Sequence, residues 1–142
     1  MSEKITIFTD GGAKDNPGPA AIGVVVYKDG EKVKEYSEYI GEATNNEAEY
    51  KALIYALKKV KSLYGKDKIK NVKLKANTDS ELMAEQLNGN YKVKDEKIQP
   101  LFLKAWNLKL NFGQFEIESV PREKNEEANE LVKKSLSQQK LL

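Results

Sequence analysis

The sequence predicts one α/β domain in which helices cover a single mixed β-sheet. Its 142 residues are the size of one compact domain. Five segments show the apolar runs or the alternation of strands, and four others space their apolar residues as helices do. The order is three strands, a helix, a strand, two helices, a strand and a helix, and no internal repeat or linker interrupts it.

The first three strands are predicted from apolar segments near the N-terminus. Residues 5–9 predict a strand that ends at Asp10, where a Gly/Pro loop follows. The continuous apolar run over residues 20–27 is typical of a strand covered on both faces. Asp29 and Gly30 indicate a tight turn, and residues 32–40 predict the third strand.

The longest helix follows these strands. Thr44, Asn45 and Asn46 are residue types that cap helices, and apolar residues then recur at helical spacing through Leu63. Gly65 is expected to end this helix.

The second half of the chain alternates strands and helices. Residues 72–76 alternate as a half-buried strand, and Ser80 caps a short helix to Leu87 that residues 88–90 close. A further helix is expected from about Glu96 to Leu110. Its inward-facing residues are Leu101, Ala105, Trp106 and Leu108. Residues 115–119 form the fifth strand, Pro121 stops it, and a last helix starts near Asn125 and frays at its end.

Composition excludes several kinds of chemistry. The chain has no cysteine and no histidine, which excludes disulfides, Cys or Ser-His nucleophiles and His-ligated zinc. Its net charge is only +2, and Arg122 is its one arginine. The other basic residues are lysines, which meet phosphates as point charges. They suit contact with a phosphate backbone better than recognition of base sequence. No apolar run is long enough to span a bilayer, and the N-terminal segment lacks a signal region, so we expect a cytoplasmic protein without membrane contact.

Polar side chains that could hold a cation stand at the predicted element ends. Asp10 and Asp79 each follow a strand, Glu49 lies one turn into the first helix, and Asn129 lies in the last helix. Carboxylates that meet at the edge of an α/β sheet repel one another unless a divalent cation neutralises them, and oxygen ligands suit Mg²⁺ or Mn²⁺. Taken alone, each of these acids is explained by helix capping or by solvation at the surface. We assign only such capping or solvation to the other acids near these ends: Asp15, Glu47, Glu81, Glu126 and Glu127.

Five segments in the same order resemble type 1 ribonuclease H, in the compact form without a basic protruding loop or a preceding hybrid-binding module. They are residues 7–13 with 16–20 (Ile-Phe-Thr-Asp-Gly-Gly-Ala, Asn-Pro-Gly-Pro-Ala), 44–50 (Thr-Asn-Asn-Glu-Ala-Glu-Tyr), 78–82 (Thr-Asp-Ser-Glu-Leu), 86–94 (Gln-Leu-Asn-Gly-Asn-Tyr-Lys-Val-Lys) and 120–131 (Val-Pro-Arg-Glu-Lys-Asn-Glu-Glu-Ala-Asn-Glu-Leu). The resemblance covers nearly the whole chain, as one catalytic domain over residues 1–142. It implies a five-stranded sheet in the order 3-2-1-4-5, with strands 1–3 as an antiparallel meander.

The resemblance also implies an activity. Such enzymes cut the RNA strand of RNA–DNA hybrids endonucleolytically, without sequence specificity, and leave 5′-phosphate and 3′-hydroxyl ends. Four acidic positions hold two Mg²⁺ ions, and Mn²⁺ can substitute. Asp10, Glu49 and Asp79 match three of these positions, and the counterpart of Asp10 bridges both ions.

Two positions depart from the family pattern. Asn129 stands where the fourth acid is expected, so that the shape and one carbonyl ligand are kept while the charge is lost. Ser119 stands just before the Val-Pro-Arg segment, where the family often has a histidine that is proposed to help product release or proton transfer. These departures keep open a second reading, a hybrid-binding member of the family that cuts weakly or not at all.

The resemblance assigns further residues to the substrate. The backbone of Gly11 and Gly12, with Asn16 and Asn45, matches contacts to the RNA strand. Thr44 matches a contact to a DNA phosphate, and Asn46 could read the minor groove. Glu81 stands where relatives often have glutamine. Lys92 and Lys94 are expected to contact DNA-strand phosphates.

Two other functions stay open at this point. One is another nuclease of the same superfamily, such as an exonuclease. The other is a structural α/β domain whose acidic residues are only part of its solvated surface. The segments at residues 16–19 and 44–46 argue against another nuclease of the superfamily. A structural domain predicts no metal-dependent affinity for hybrids. We expect a monomer and no protein partner.

Overall fold

The computed structural model of the chain describes residues 3–140. Its strands are β1 (Glu3–Ala13), β2 (Gly18–Lys28), β3 (Glu31–Ala43), β4 (Val72–Thr78) and β5 (Gln114–Ser119). They form one sheet in the order β3-β2-β1-β4-β5. The first three strands pair antiparallel, whereas β4 runs parallel to both β1 and β5. The predicted mixed sheet and its strand order are therefore confirmed.

Within residues 3–140 four helices accompany the sheet. They are α1 (Asn45–Tyr64), α2 (Glu81–Leu87), α3 (Gln99–Lys109) and α4 (Glu126–Lys140), with 3₁₀ turns at Lys68–Asn71 and Arg122–Lys124. Among the helices of residues 3–140, none combines the length and the apolar character that crossing a bilayer requires. The fraying expected at the end of the chain falls on residues 141–142, which lie outside the described residues.

The predicted caps of α1 are present. The hydroxyl of Thr44 accepts a hydrogen bond from the backbone N–H of Glu47, whose carboxylate accepts one from the backbone N–H of Thr44. This reciprocal pair satisfies two backbone donors that the helix itself leaves unpaired. Gly65 ends the helix at a φ of 91°, a conformation that residues with a Cβ rarely adopt. Local sequence therefore sets both ends of α1.

The main core lies between the sheet and α1. Ile5, Val24, Leu57 and Leu74 are buried there with neighbours from α2 and α3. On the opposite face α4 packs against β1, β2 and β3. This helix comes so close to β2 that a Cβ on Gly23 would lie 2.3 Å from the carbonyl oxygen of Ala128. The close packing carries residue 129 to the same edge of the sheet as the end of β4.

Several predicted boundaries were wrong, and β3, for example, runs to Ala43 instead of ending at residue 40. Asp10 does not end β1, because the strand continues to Ala13 through antiparallel pairing with β2. What ends near Asp10 is the parallel pairing with β4, whose last partners are Thr9 and Thr78. The helix expected from Glu96 begins at Gln99, since the chain first turns at Asp95, whose carbonyl accepts hydrogen bonds from the N–H groups of residues 98 and 99. Ala105 is buried as expected, and the other expected inward residues pack against the core half-buried: Leu101, Trp106 and Leu108.

Candidate active site

Asp10 and Asp79 are neighbours because of the strand register. Thr9 pairs with Thr78, and each aspartate follows its threonine directly. β1 and β4 are parallel, so both carboxylates leave the sheet at the same edge. Asp10 is 7% exposed. The sheet therefore brings together two acids that are distant in sequence.

Glu49 joins them from α1. Its Oε1 accepts a hydrogen bond of 2.9 Å from the backbone N–H of Gly11. The approach depends on the missing side chain at residue 11, where a Cβ would lie 2.2 Å from the carbonyl group of Ala48. Each of Asp10, Glu49 and Asp79 has a carboxylate oxygen within 4.8 Å of those of the other two. The three predicted acids thus form one cluster.

Burial and mutual repulsion make Asp10 and Glu49 hold their protons tightly. Burial, and then the charge and hydrogen bonding of Asp79, raise the pKa of Asp10 from 3.8 to about 7. Burial, and then the charges of Asp10 and Asp79, raise the pKa of Glu49 well above its usual range. A guanidinium nitrogen of Arg122 lies 3.7 Å from a carboxylate oxygen of Asp79 and offsets part of the repulsion. Within residues 3–140 the cluster is therefore short of positive charge, and a divalent cation would supply it.

Asn129 lies in the same cleft, which has a volume of about 410 Å³ and is lined by all three acids. Its side chain is 5% exposed, and its amide nitrogen donates to the backbone carbonyl of Arg122 at 3.3 Å. Its Oδ1 is buried, and no group of residues 3–140 donates a hydrogen bond to it. An unpaired buried amide oxygen is costly, and amide oxygens are ligands for hard cations. The four side chains therefore fit a metal held by oxygen ligands alone.

The comparisons with known proteins agree with this geometry. The family model described as reverse transcriptase-like matches residues 8–135. Ribonuclease HI of Halobacterium salinarum is 38% identical over 94% of this chain, and the bifunctional protein Rv2228c of Mycobacterium tuberculosis is 36% identical over 90%. The crystal structure of LC11-RNase H1, isolated from compost, is 43% identical, with a TM-score of 0.88 over 95% of this chain and 96% of its own. The chain belongs to the type 1 ribonuclease H family.

Some relatives are longer than this chain, and one has been solved with a bound nucleic acid. The chain spans 64% of the Halobacterium salinarum ribonuclease HI and 34% of Rv2228c. Another crystal structure of LC11-RNase H1 contains an RNA/DNA hybrid; that protein is 42% identical with a TM-score of 0.88. Ribonucleases H are metal-dependent, and this chain has a matching cluster of buried acids.

The other predicted ribonuclease H residues lie in three places. Gly11, Gly12 and Asn45 line the cleft beside the acids. Thr44 and Asn16 lie next to Asn45. Asn16 Oδ1 accepts a hydrogen bond from the N–H of Asn45 at 3.0 Å, and Asn45 Oδ1 accepts one from the N–H of Ala13 at 2.9 Å. The hydroxyl of Thr44, as the helix cap, already accepts a hydrogen bond. The amide oxygens of the two asparagines therefore hold the β1–β2 loop against α1, which leaves their NH₂ groups for a ligand.

The remaining predicted residues lie outside the cleft lining and are exposed: Asn46, Glu81, Lys92 and Lys94. Ser119, the position of the expected histidine, is also exposed and pairs with Thr78 at the end of β5. It therefore lies at the edge of the sheet that carries the acids, without lining the cleft.

Two residues of the site were missed in the sequence. Asn125 is 1% exposed, and its amide nitrogen donates to the carbonyl of Thr9 at 2.9 Å and reaches Asp79 Oδ1 at 3.5 Å. It ties the acidic end of β4 to β1, whereas the sequence indicated only a helix start. Arg122 lines the cleft. The sequence feature that could have pointed to it is that it is the one arginine of the chain.

Proposed function

We propose that this chain is a metal-dependent endoribonuclease that cuts the RNA strand of RNA–DNA hybrids without sequence specificity. The observation that carries the proposal is the cluster of Asp10, Glu49 and Asp79, with oxygens within 4.8 Å, in a chain of the type 1 ribonuclease H family. The ribonuclease HI relatives and the hybrid-bound LC11-RNase H1 support the substrate. We further propose that the chain acts as one catalytic domain and as a monomer.

Two Mg²⁺ ions, replaceable by Mn²⁺, are the proposed cofactors, and Asp10, Glu49, Asp79 and Asn129 would hold them. Bound divalent cations supply activation of water and neutralisation of the charge on the leaving 3′ oxygen. The chain has no histidine or cysteine, so a covalent intermediate on either side chain is excluded. Attack by water on the scissile phosphate accordingly leaves 5′-phosphate and 3′-hydroxyl ends.

The residues around the acids keep their geometry. The N–H of Gly11 fixes the carboxylate of Glu49, and Asn125 fixes the end of β4 beside Asp79. Arg122 lowers the cost of gathering charge at Asp79 and stands where it can also meet a phosphate. These contacts pre-organise the site, which is the main protein contribution to electrostatic catalysis.

Recognition of the hybrid is assigned to the surface next to the cleft. The backbone of Gly11 and Gly12 and the free amide groups of Asn16 and Asn45 are proposed to contact the RNA strand and its 2′-hydroxyls, which distinguish RNA from DNA. Thr44 is proposed to contact a DNA phosphate through its remaining hydrogen-bonding capacity. Four further exposed residues are proposed to contact the hybrid: Asn46, Glu81, Lys92 and Lys94.

One observation favours a second candidate, a hybrid-binding protein with little or no cleavage. Asn129 offers a neutral oxygen where a carboxylate is expected, and the cleft lacks one negative charge for the metals. Hybrid binding through phosphates does not need this charge, whereas metal affinity does.

The two candidates are separated by a cleavage assay. A labelled RNA–DNA hybrid is incubated with the parent chain in Mg²⁺ and in Mn²⁺, beside Asn129→Asp and Asp10→Ala. Internal cuts in the RNA by the parent support the enzyme. Binding without cleavage, with cleavage restored by Asn129→Asp, identifies the second candidate.

Two results would refute the assignment. One is the absence of both binding and cleavage in the parent and in Asn129→Asp. The other is unchanged turnover in Asp10→Ala, which would exclude the proposed role of this residue in holding the metals. Circular dichroism of Asp10→Ala controls for loss of the fold.

A further inference from the structure

The segment of residues 92–95 has no regular secondary structure, although it carries both lysines of the proposed DNA-strand contact. Lys92 and Lys94 are exposed, and their side chains alone do not fix the backbone. Two glutamine amides do so instead. Gln86 Nε2 donates to the carbonyl of Lys92 at 3.2 Å, and Gln99 Nε2 donates to the carbonyl of Val93 at 3.1 Å.

Gln86 differs from Gln99 in being buried, at 7% exposure. Its Oε1 accepts a hydrogen bond of 2.7 Å from the hydroxyl of Tyr50, which is 2% exposed. Both ends of the Gln86 amide are therefore engaged, and the amide has one orientation that satisfies them. An apolar residue would fill the same space in α2, so packing alone does not call for this amide.

The network connects the lysine segment to the acidic cluster. Tyr50 directly follows Glu49 on α1, and Gln86 lies on α2, which begins two residues after Asp79. The chain of contacts runs from α1 through Tyr50 and Gln86 to the backbone of Lys92. A displacement of this segment would move the backbone that carries the two lysines relative to the carboxylates.

We propose that Gln86 is a positioning residue for hybrid binding, which holds the Lys92–Lys94 backbone at a fixed distance from the catalytic acids. The inference rests on the proposed function, because it assumes that the lysines contact a phosphate backbone. Its physical content is pre-organisation: a lysine on an ordered backbone contributes to affinity without the cost of ordering the segment on binding.

The test compares Gln86→Met with Val60→Ala. Methionine has a similar length and no hydrogen-bonding amide, whereas Val60 is buried in α1 outside the network. Dissociation constants for the hybrid are measured for the parent chain over a range of salt concentrations, and KM and kcat are measured in the Asn129→Asp background. Tyr50→Phe is the milder second variant, since it removes only the hydroxyl that orients the amide.

Gln86→Met is expected to weaken hybrid binding and raise KM about 5-fold or more, with kcat within about 2-fold of the Asn129→Asp value, because only the binding segment is disturbed. The association constant is the inverse of the measured dissociation constant. The slope of its logarithm against log salt should become less negative by about 1 to 2, as expected for the loss of one or two phosphate contacts. Tyr50→Phe should shift KM in the same direction by less. Val60→Ala should lower the melting temperature and leave KM and the salt slope unchanged.

A double-mutant cycle adds a second check. Lys92→Ala with Lys94→Ala should lose most of its effect in the Gln86→Met background, because the residues act through one segment. Full additivity in this cycle, or a Gln86→Met variant with the affinity and salt slope of the parent, overturns the positioning role while the proposed function stands. A parent chain that does not bind hybrids at all overturns both proposals.

Discussion

Replacing Asp10 by asparagine should stabilise the fold, although it removes a proposed metal ligand. The raised pKa of Asp10, about 7 in place of 3.8, means that the folded protein holds this proton more tightly than the unfolded chain does. Ionising the buried carboxyl therefore costs the folded state free energy. Asparagine has nearly the same shape and carries no charge, so the variant avoids this cost.

The pH dependence follows from the two pKa values. Below 3.8 the carboxyl is protonated in both states, and no stability is lost. Between 3.8 and about 7 the folded protein loses stability as the pH rises, and above about 7 the loss is complete. A tenfold change in proton affinity is worth about 1.4 kcal/mol, so the full loss is about 4 kcal/mol at pH 8 and under about 2 kcal/mol at pH 5.

Urea unfolding in the presence of EDTA, at pH 5 and at pH 8, measures the effect. Asp10→Asn should exceed the parent in free energy of unfolding by up to about 4 kcal/mol at pH 8 and by less than half of that at pH 5. Adding Mg²⁺ should narrow the difference at pH 8, because the ion stabilises only the state that binds it. Asp67→Asn is the matched control, since the side chain of Asp67 is 98% exposed.

Two outcomes would refute the electrostatic reasoning. A variant no more stable than the parent at pH 8 would mean that the ionised carboxylate of Asp10 does not destabilise the folded state. An equal gain at both pH values would assign the effect to packing instead of ionisation.

Further predictions concern the supports of the site and the substrate. Gly11→Ala should destabilise the fold by about 2 kcal/mol or more and abolish cleavage, because the new Cβ collides with the carbonyl of Ala48; thermal unfolding and turnover measure this. A Gly11→Ala variant with the parent's melting temperature would contradict the close approach of α1. Asn125→Ala should lower the free energy of unfolding by about 1–3 kcal/mol and reduce turnover, since it leaves the buried carbonyl of Thr9 without its donor. Turnover unaffected in Asn125→Ala would show that β1 and β4 hold the acids without it. Raising salt from about 50 to 200 mM should weaken hybrid binding steeply, and a flat response in a filter-binding titration would exclude phosphate contacts.

Helix ends were predictable where their signals are local. Thr44 and Glu47 form the capping pair within four residues, and Gly65 ends α1 through its own conformational freedom. Ser80 caps α2 in the same way, by accepting from the N–H of Met83. The extension of β1 past Asp10 was not predictable in this way, because two glycines indicate a loop until the pairing with β2 is known.

The candidate acids were predictable from motifs, and their supports were not. Asp10, Glu49 and Asp79 stand in segments that resemble the family, so residue type and order were sufficient to single them out. Asn125 was missed because its partner Thr9 lies 116 residues away in sequence. The cytoplasmic location, the monomeric state and the roles of the individual site residues stay predictions.

By itself, the amino-acid order specified the succession of strands and helices, the caps and the family, because each is encoded in short stretches of neighbouring residues. Only the tertiary structure decided which oxygens face one cleft, how tightly Asp10 and Glu49 hold their protons, and that the Oδ1 of Asn129 is buried among residues 3–140 without a donor. The physical reason is that desolvation and Coulomb repulsion depend on distances in space, which the chain acquires only when its remote segments pack together.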